Sequence, residues 1–94
     1  MFRKIQLEQF AGVAGMPQKA QSAWTAVFEN PEYTGATFKP LLYCAKQEVH
    51  GTNYYYIAER TIPYRYEIRN LVLLAIWEHD GEYDFDEASV KEIL

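Results

Sequence analysis

Cys44 could act as a thiol nucleophile, and His50 and His79 are the two imidazoles that could serve as its base. A thiol nucleophile needs a base within about 3 Å to take its proton. Six residues of extended chain place His50 roughly 20 Å from Cys44, and His79 comes close only if the fold brings it there. We therefore expect Cys44 to be a small buried apolar residue, and we expect that the protein is not an enzyme.

Acidic side chains recur at every second position after the last histidine, at Asp80, Glu82, Asp84 and Asp86. Carboxylate oxygens bind Ca²⁺, but residues that alternate along a strand point to one side and do not surround a cation. The pattern instead predicts a solvated acidic face that discourages pairing at a sheet edge. The histidines and the cysteine also lack the close spacing of a zinc site, so we expect neither a metal nor another cofactor.

The size of the chain indicates one domain, residues 1–94, with the composition of a folded protein. Its nine basic residues are scattered and its formal net charge is -4, which argues against a nucleic-acid partner. A single cysteine excludes an internal disulfide. No apolar run reaches the roughly 20 residues that cross a bilayer, and the amino terminus lacks the apolar segment of a signal peptide. We therefore expect a cytoplasmic protein with no membrane partner.

The clearest local structure is a helix over residues 17–29. Apolar residues at helical spacing form one stripe along it, which consists of Ala20, Ala23, Trp24, Val27 and Phe28. Pro17 suits the first turn because its missing N–H costs nothing there. Pro31 ends the helix because the residue before a proline is pushed out of the helical region. A tryptophan at the centre of such a stripe is expected in the core.

Two runs typical of strands, residues 37–46 and 53–62, surround a reversal near residues 49–51. They are rich in aromatic and apolar residues, and Gly51 supplies the backbone freedom that a turn needs. Together they predict a β-hairpin. Because proline cannot donate a hydrogen bond to a neighbouring strand, Pro40 is expected at the strand start, at a bulge or on an edge.

The chain after Ile62 allows two interpretations. Residues 62–65 favour a second reversal, and residues 71–77 are an apolar run of strand length that we expect to be buried on both faces. The turn signal Asp80-Gly81 then predicts a hairpin formed by residues 71–78 and 82–86. The alternative places this turn at Arg69 and Asn70.

The two ends of the chain carry weaker signals. Residues 1–16 are expected to be a short edge strand or an arm, because residues 4–10 alternate only loosely between apolar and polar. The sheet is expected to span residues 37–86. Residues 87–94 are expected to be a tail that adds a short helical turn.

A motif in the first hairpin gives the strongest functional signal. Gln47, Val49 and Gly51 fit the pattern Gln-x-Val-x-Gly, and the next four residues read Thr-Asn-Tyr-Tyr. In both features the chain resembles the cystatins and stefins, which inhibit papain-like cysteine proteases. Without disulfides or a signal peptide, it is most similar to the stefins. The resemblance implies an α+β, cystatin-like fold, in which one α-helix packs across a curved antiparallel sheet of four to five strands.

The resemblance also implies a mechanism, in which an amino-terminal arm and two hairpin tips fill the cleft of a papain-like protease as a wedge. The residues that it assigns to protease binding here are Gly12, Gln47, Glu48, Val49, His50, Gly51 and Trp77. Val49 is the apolar contact, and Gly51 shapes the turn. Gly15 is the alternative for the glycine of the arm, and an ordinary flexible linker is the other interpretation of this segment.

Departures from the family pattern favour a second function, a non-inhibitory cystatin-like module for protein binding or assembly. Glu48 and His50 occupy tip positions that are usually small or apolar. Trp77 follows Ile76, where many cystatins have Pro-Trp, and it fits the core as well as a contact. An aromatic recognition surface or ordinary cross-strand pairs are the two interpretations of Tyr54, Tyr55, Tyr56, Tyr64 and Tyr66. As in the family, we expect a monomer or a domain-swapped dimer.

Overall fold

A computed structural model describes residues 6–7, 16–62 and 68–94. Its elements are β1 (Gln6–Leu7), α1 (Gln18–Phe28), β2 (Thr37–Glu48), β3 (Thr52–Ile62), β4 (Ile68–His79), β5 (Glu82–Asp84), a 3₁₀ turn (Glu87–Ser89) and β6 (Lys91–Glu92). The strand order is β1-β2-β3-β4-β5, all pairs are antiparallel, and β6 lies beside β4. Over the described residues, one helix therefore packs on one antiparallel sheet, which confirms the predicted α+β class.

Helix α1 is one residue shorter at each end than the predicted range 17–29. Pro17 lies just before the first turn, not in it, because its ψ of 149° is extended. The Pro17 carbonyl still accepts the Gln21 N–H at 3.0 Å, and the Glu29 N–H donates to the Thr25 carbonyl at 3.0 Å. Within the described chain, no helix has the length and apolar content that a membrane span requires.

The predicted apolar stripe of α1 lies against the sheet. Its members are buried or pack at the border of the core: Ala20, Ala23, Trp24, Val27 and Phe28. The ring of Trp24 meets that of Tyr56 edge-on, with centroids 5.1 Å apart. The Tyr56 hydroxyl donates to the Ala20 carbonyl at 2.6 Å, a close approach of helix and sheet that the small side chain of Ala20 allows. Trp24 is thus a core residue, as predicted.

Strand β2 is interrupted by two shifts of register against β3, one between Pro40 and Leu42 and one between Tyr43 and Ala45. Pro40 therefore lies at a bulge, which is one of its three predicted positions. The second shift changes which side chains face the helix. Tyr43 belongs to the core cluster, whereas Ala45 is buried outside that cluster.

Strands β3 and β4 pair without interruption from Thr52↔Glu78 to Ile62↔Ile68. Because this pair is antiparallel, the chain reverses between them, and the predicted reversal at residues 62–65 lies outside the described residues except for Ile62. The predicted turn at Asp80-Gly81 is confirmed, since it joins β4 to β5. The alternative turn at Arg69 and Asn70 is wrong, because both residues lie inside β4.

The apolar run of β4 is not buried equally on both faces, contrary to expectation. Val72, Leu74 and Ile76 are fully buried in the core under the helix. The residues that alternate with them are only partly buried, because they point to the face that α1 does not cover: Leu71, Leu73 and Ala75. One face of the central sheet is therefore a closed core and the other an apolar surface with partial access to solvent.

The last residues form more than the predicted tail. The expected helical turn is present as the 3₁₀ turn, and the Asp86 carboxylate caps it by accepting the Ala88 N–H at 2.9 Å. Strand β6, which the sequence did not predict, pairs with Val72 and Leu73. Beyond it, the Leu71 N–H donates to the Leu94 carbonyl at 2.9 Å. The sheet therefore extends past residue 86.

Tyr56 provides a test of the helix–sheet contact. Tyr56→Phe removes the hydroxyl that donates to the buried Ala20 carbonyl, so we expect unfolding in urea to become easier by about 1 to 1.5 kcal/mol. Tyr55→Phe, which removes a hydroxyl bond to Gln47 on the partly exposed face, is the matched control and should cost less. Equal losses of unfolding free energy in the two variants would contradict the role assigned to the hydrogen bond between Tyr56 and Ala20.

The same residue predicts how stability depends on alkaline pH. Burial, and then the neighbouring Tyr43, raise the pKa of Tyr56 above its ordinary value. A group whose pKa rises on folding stabilises the fold fully below its unfolded value, about 10 for tyrosine, and loses that contribution as the pH rises further. We expect stability in urea to fall steeply from pH 10 to 12, and to fall less steeply in Tyr56→Phe. The prediction would be contradicted if the unfolding free energy fell with pH as steeply in Tyr56→Phe as in the parent.

Candidate functional site

The first hairpin tip consists of Val49, His50 and Gly51, between the last pair of the β2–β3 ladder, Glu48 and Thr52. The Val49 N–H donates to the Gly51 carbonyl at 2.9 Å, which closes the turn. His50 has a φ of 36° and Gly51 a φ of 112°, so both have positive φ. The bend predicted at residues 49–51 is confirmed.

Gly51 fits its position because the neighbouring strand passes directly over it. A Cβ at this residue would meet the carbonyl oxygen of Glu78 and would lie 3.0 Å from Nε1 of Trp77. Its positive φ of 112° also disfavours a side chain. The glycine of the motif therefore lets β4 support the tip from close range.

Trp77 lies beside this tip, neither in the core nor at a turn. Ile76 is buried in the core cluster, so Trp77, the next residue of β4, points to the opposite face and is partly buried there. Its indole Nε1–H donates to the Val49 carbonyl at 3.3 Å. Trp77 thus forms a direct hydrogen bond to the backbone of the first tip.

The second hairpin tip is Asp80-Gly81, with φ values of 50° and 80°. It lies at the same end of the sheet as the first tip, because Thr52 of β3 pairs with Glu78 of β4. The His79 ring stacks on the Trp77 ring, with centroids 5.1 Å apart and an interplanar angle of 20°. His79 also lies 3.5 Å from the Asp80 carboxylate. The Trp77–His79 pair therefore connects the two tips.

The other residues predicted for protease binding divide into two groups. Gln47, Glu48 and His50 lie at or beside the first tip, and Glu48 and His50 are exposed. The Gln47 side-chain carbonyl accepts the Tyr55 hydroxyl at 2.9 Å, so this glutamine is held along the sheet. Gly12 and its alternative Gly15 lie outside the described residues, and their role stays a prediction.

Cys44 is only partly buried, whereas a small buried apolar residue was expected. Its Sγ–H donates to the Tyr55 carbonyl at 3.4 Å, within the sheet. Burial raises the pKa of the thiol, and a backbone hydrogen bond opposes this to a smaller degree. Since the thiolate is the nucleophilic form, a raised pKa disfavours nucleophilic chemistry at neutral pH. That the protein is not an enzyme stays a prediction.

The acidic residues of the last hairpin project outward. Glu82 and Asp84 are exposed on β5, whereas the partly buried Tyr83 between them packs toward the core. Asp86 is engaged as the cap of the 3₁₀ turn. In the residues that the structure describes, histidine, cysteine, aspartate and glutamate side chains do not gather in any group of three that could hold a metal.

The tyrosines considered as a recognition surface are separated by the sheet. Tyr54 and Tyr56 are buried in the core, which rules them out as exposed contacts. Tyr55 points to the other face, is partly buried and bonds to Gln47. Tyr64 and Tyr66 lie outside the described residues. Of the three tyrosines that the structure describes, two are therefore core residues. An aromatic recognition surface, as the alternative function would need, cannot include these two.

The bond between Trp77 and Val49 is the part of the site that sequence reasoning missed. This hydrogen bond joins residues 28 positions apart, and local sequence patterns do not predict contacts over that distance. The available signal was the position of Trp77 just before the Asp80-Gly81 turn, which places it near a tip once β3 and β4 pair. Comparison with known protein families, with curated proteins and with solved structures finds no match to this chain.

The two tip glycines give a paired test of the close approach at the first tip. Gly81→Ala has open space for its Cβ but a φ of 80°, so we expect a loss of about 1 kcal/mol in unfolding free energy. Gly51→Ala adds a clash with the Glu78 carbonyl, and its loss should reach at least about 2 kcal/mol. Urea unfolding measures both. Similar losses would contradict the tight support of Gly51 by β4.

Proposed function

We propose that this protein is a reversible inhibitor of papain-like cysteine proteases and that it inserts the hairpin of residues 47–51 into the active-site cleft. The observation that carries the proposal is the position of the two tips at one end of the sheet, fixed by the pair Thr52↔Glu78. A wedge needs such a juxtaposition. The motif Gln-x-Val-x-Gly begins in β2 and ends in the first of these tips, to which Val49 and Gly51 belong.

The state of the first tip supports the proposal further. The Val49 backbone is held by the Gly51 carbonyl and by the Trp77 indole, and the Val49 side chain is only partly buried. A loop that already has its bound shape loses little conformational entropy on binding. The tip can thus present an apolar side chain to the protease at low cost. In this mechanism it lies beside the catalytic thiol and offers no peptide bond in position for attack.

The charge of the tips indicates which proteases fit best. Exposed carboxylates lie beside the first tip, at Glu48, and in the second tip, at Asp80. Exposed charges of one sign favour association with a surface of the opposite sign. We therefore propose a target whose cleft has basic groups at its rim. The proposal includes a cytoplasmic site of action, where the free thiol of Cys44 meets reducing conditions.

Titration of papain with the purified protein tests the proposal, with hydrolysis of a small fluorogenic substrate as the measurement. We expect the parent to inhibit, and Val49→Asp to inhibit at least about tenfold more weakly, because a charge replaces the apolar contact. Leu41→Asp is the matched control: Leu41 is an exposed apolar residue of the same hairpin, outside the tip. It should inhibit as the parent does.

Two results would contradict the proposal. One is the absence of inhibition of papain and of a protease with a basic cleft rim by a parent that keeps its circular dichroism. The other is an equal effect of Val49→Asp and Leu41→Asp. Either would favour the non-inhibitory binding module. Light scattering on the same samples would identify the acting species, which we propose is a monomer or a domain-swapped dimer.

A further inference from the structure

We infer that Trp77 is a positioning residue that holds the two hairpin tips as one unit and acts through the Val49 backbone, not by contact with a protease. Its importance for binding rests on the proposed function. Its effect on the tips does not, because that effect follows from contacts within the free protein.

The backbone of Val49 is held from two sides. On one side its N–H donates to the Gly51 carbonyl at 2.9 Å, a bond within the turn itself. On the other side its carbonyl accepts the Trp77 indole N–H at 3.3 Å, a bond to β4. The first bond gives the turn its shape. The second fixes that shape relative to the rest of the sheet.

The indole also connects to the second tip. The Trp77 ring stacks on His79, the last residue of β4, whose side chain lies 3.5 Å from the Asp80 carboxylate. The contacts therefore run from Val49 through Trp77 and His79 to Asp80. A displacement of one tip is resisted by the other through a stacked pair of rings.

The chemistry of indole distinguishes positioning from direct contact. Tryptophan has one polar hydrogen, the N–H, and no acceptor. In this structure that hydrogen is directed to the Val49 carbonyl, so it is not available to a partner. Partial burial of the ring further limits the surface that a protease could reach. The single polar hydrogen of Trp77 thus makes its hydrogen bond within the protein, to the backbone of the first tip.

Two changes at position 77 test this inference. Trp77→Phe removes the N–H and the outer part of the ring system. Incorporation of 3-benzothienylalanine at position 77 replaces the N–H by sulfur and keeps a fused ring that can stack on His79. Tyr33→Phe is the matched control, because it removes a side-chain hydroxyl bonded at 2.6 Å to the loop carbonyl of Ala36, just before β2 and thus at the opposite end of β2 from the tip.

The first readout uses the free protein. Hydrogen exchange of the Val49 amide, measured by NMR, reports opening of the turn, because this N–H donates to Gly51. We expect exchange about three- to tenfold faster in both position-77 variants, which is the loss of one neutral hydrogen bond, and no change in Tyr33→Phe. Unchanged Val49 exchange in both variants, with circular dichroism retained, would overturn the inference whether or not the parent inhibits any protease.

The second readout uses binding to papain and separates the two possible roles. A tip that is in the correct shape for only a fraction of the time binds in proportion to that fraction, so we expect the association rate constant to fall, by no more than the factor by which Val49 exchange rises. The dissociation rate constant should stay within about twofold. A faster dissociation with an unchanged association rate would overturn the inference, because the loss of a direct contact with the protease raises the dissociation rate constant. Failure of the parent to inhibit would count against the proposed function alone.

Discussion

The uninterrupted pairing of β3 with β4 is the constraint on which both the core and the tips depend. Successive side chains of a strand point to opposite faces, so a slip of one residue would turn the buried Tyr54 and Tyr56 away from the helix. The same slip would move the Glu78 carbonyl away from Gly51. The closed core and the ordered tip therefore depend on one register, and neither can change without the other.

Much of this architecture could be predicted from local signals. The helix follows from an apolar stripe with Trp24 at its centre, and the β2–β3 and β4–β5 hairpins follow from glycine-containing turns, at Gly51 and at Asp80-Gly81. These signals act within a few residues, which is the range over which spacing and turn chemistry determine backbone conformation. The bend at residues 49–51 is predictable for the same reason, whereas Gln47 and Glu48, which the resemblance assigns to the tip, lie in strand β2.

The remainder depends on contacts between distant parts of the chain. The second bulge of β2 sends Ala45 to the face away from the helix, although strict alternation after Tyr43 would have put that residue on the helix side. Strand β6 was missed because two residues carry no detectable period. The bond from Trp77 to Val49 exists only after β3 and β4 have paired. In each case the deciding partner lies across the sheet, where a single sequence gives no information.

The pairing of residues 91–94 with the middle of β4 has a consequence for local unfolding. This segment is short and exposed, and two ladder pairs join it to Val72 and Leu73. Segments with few buried contacts open at low free energy, so it should detach while the rest of the sheet stays folded. Each such opening leaves the outer edge of β4 unpaired, and an unpaired edge is a template for pairing with other chains.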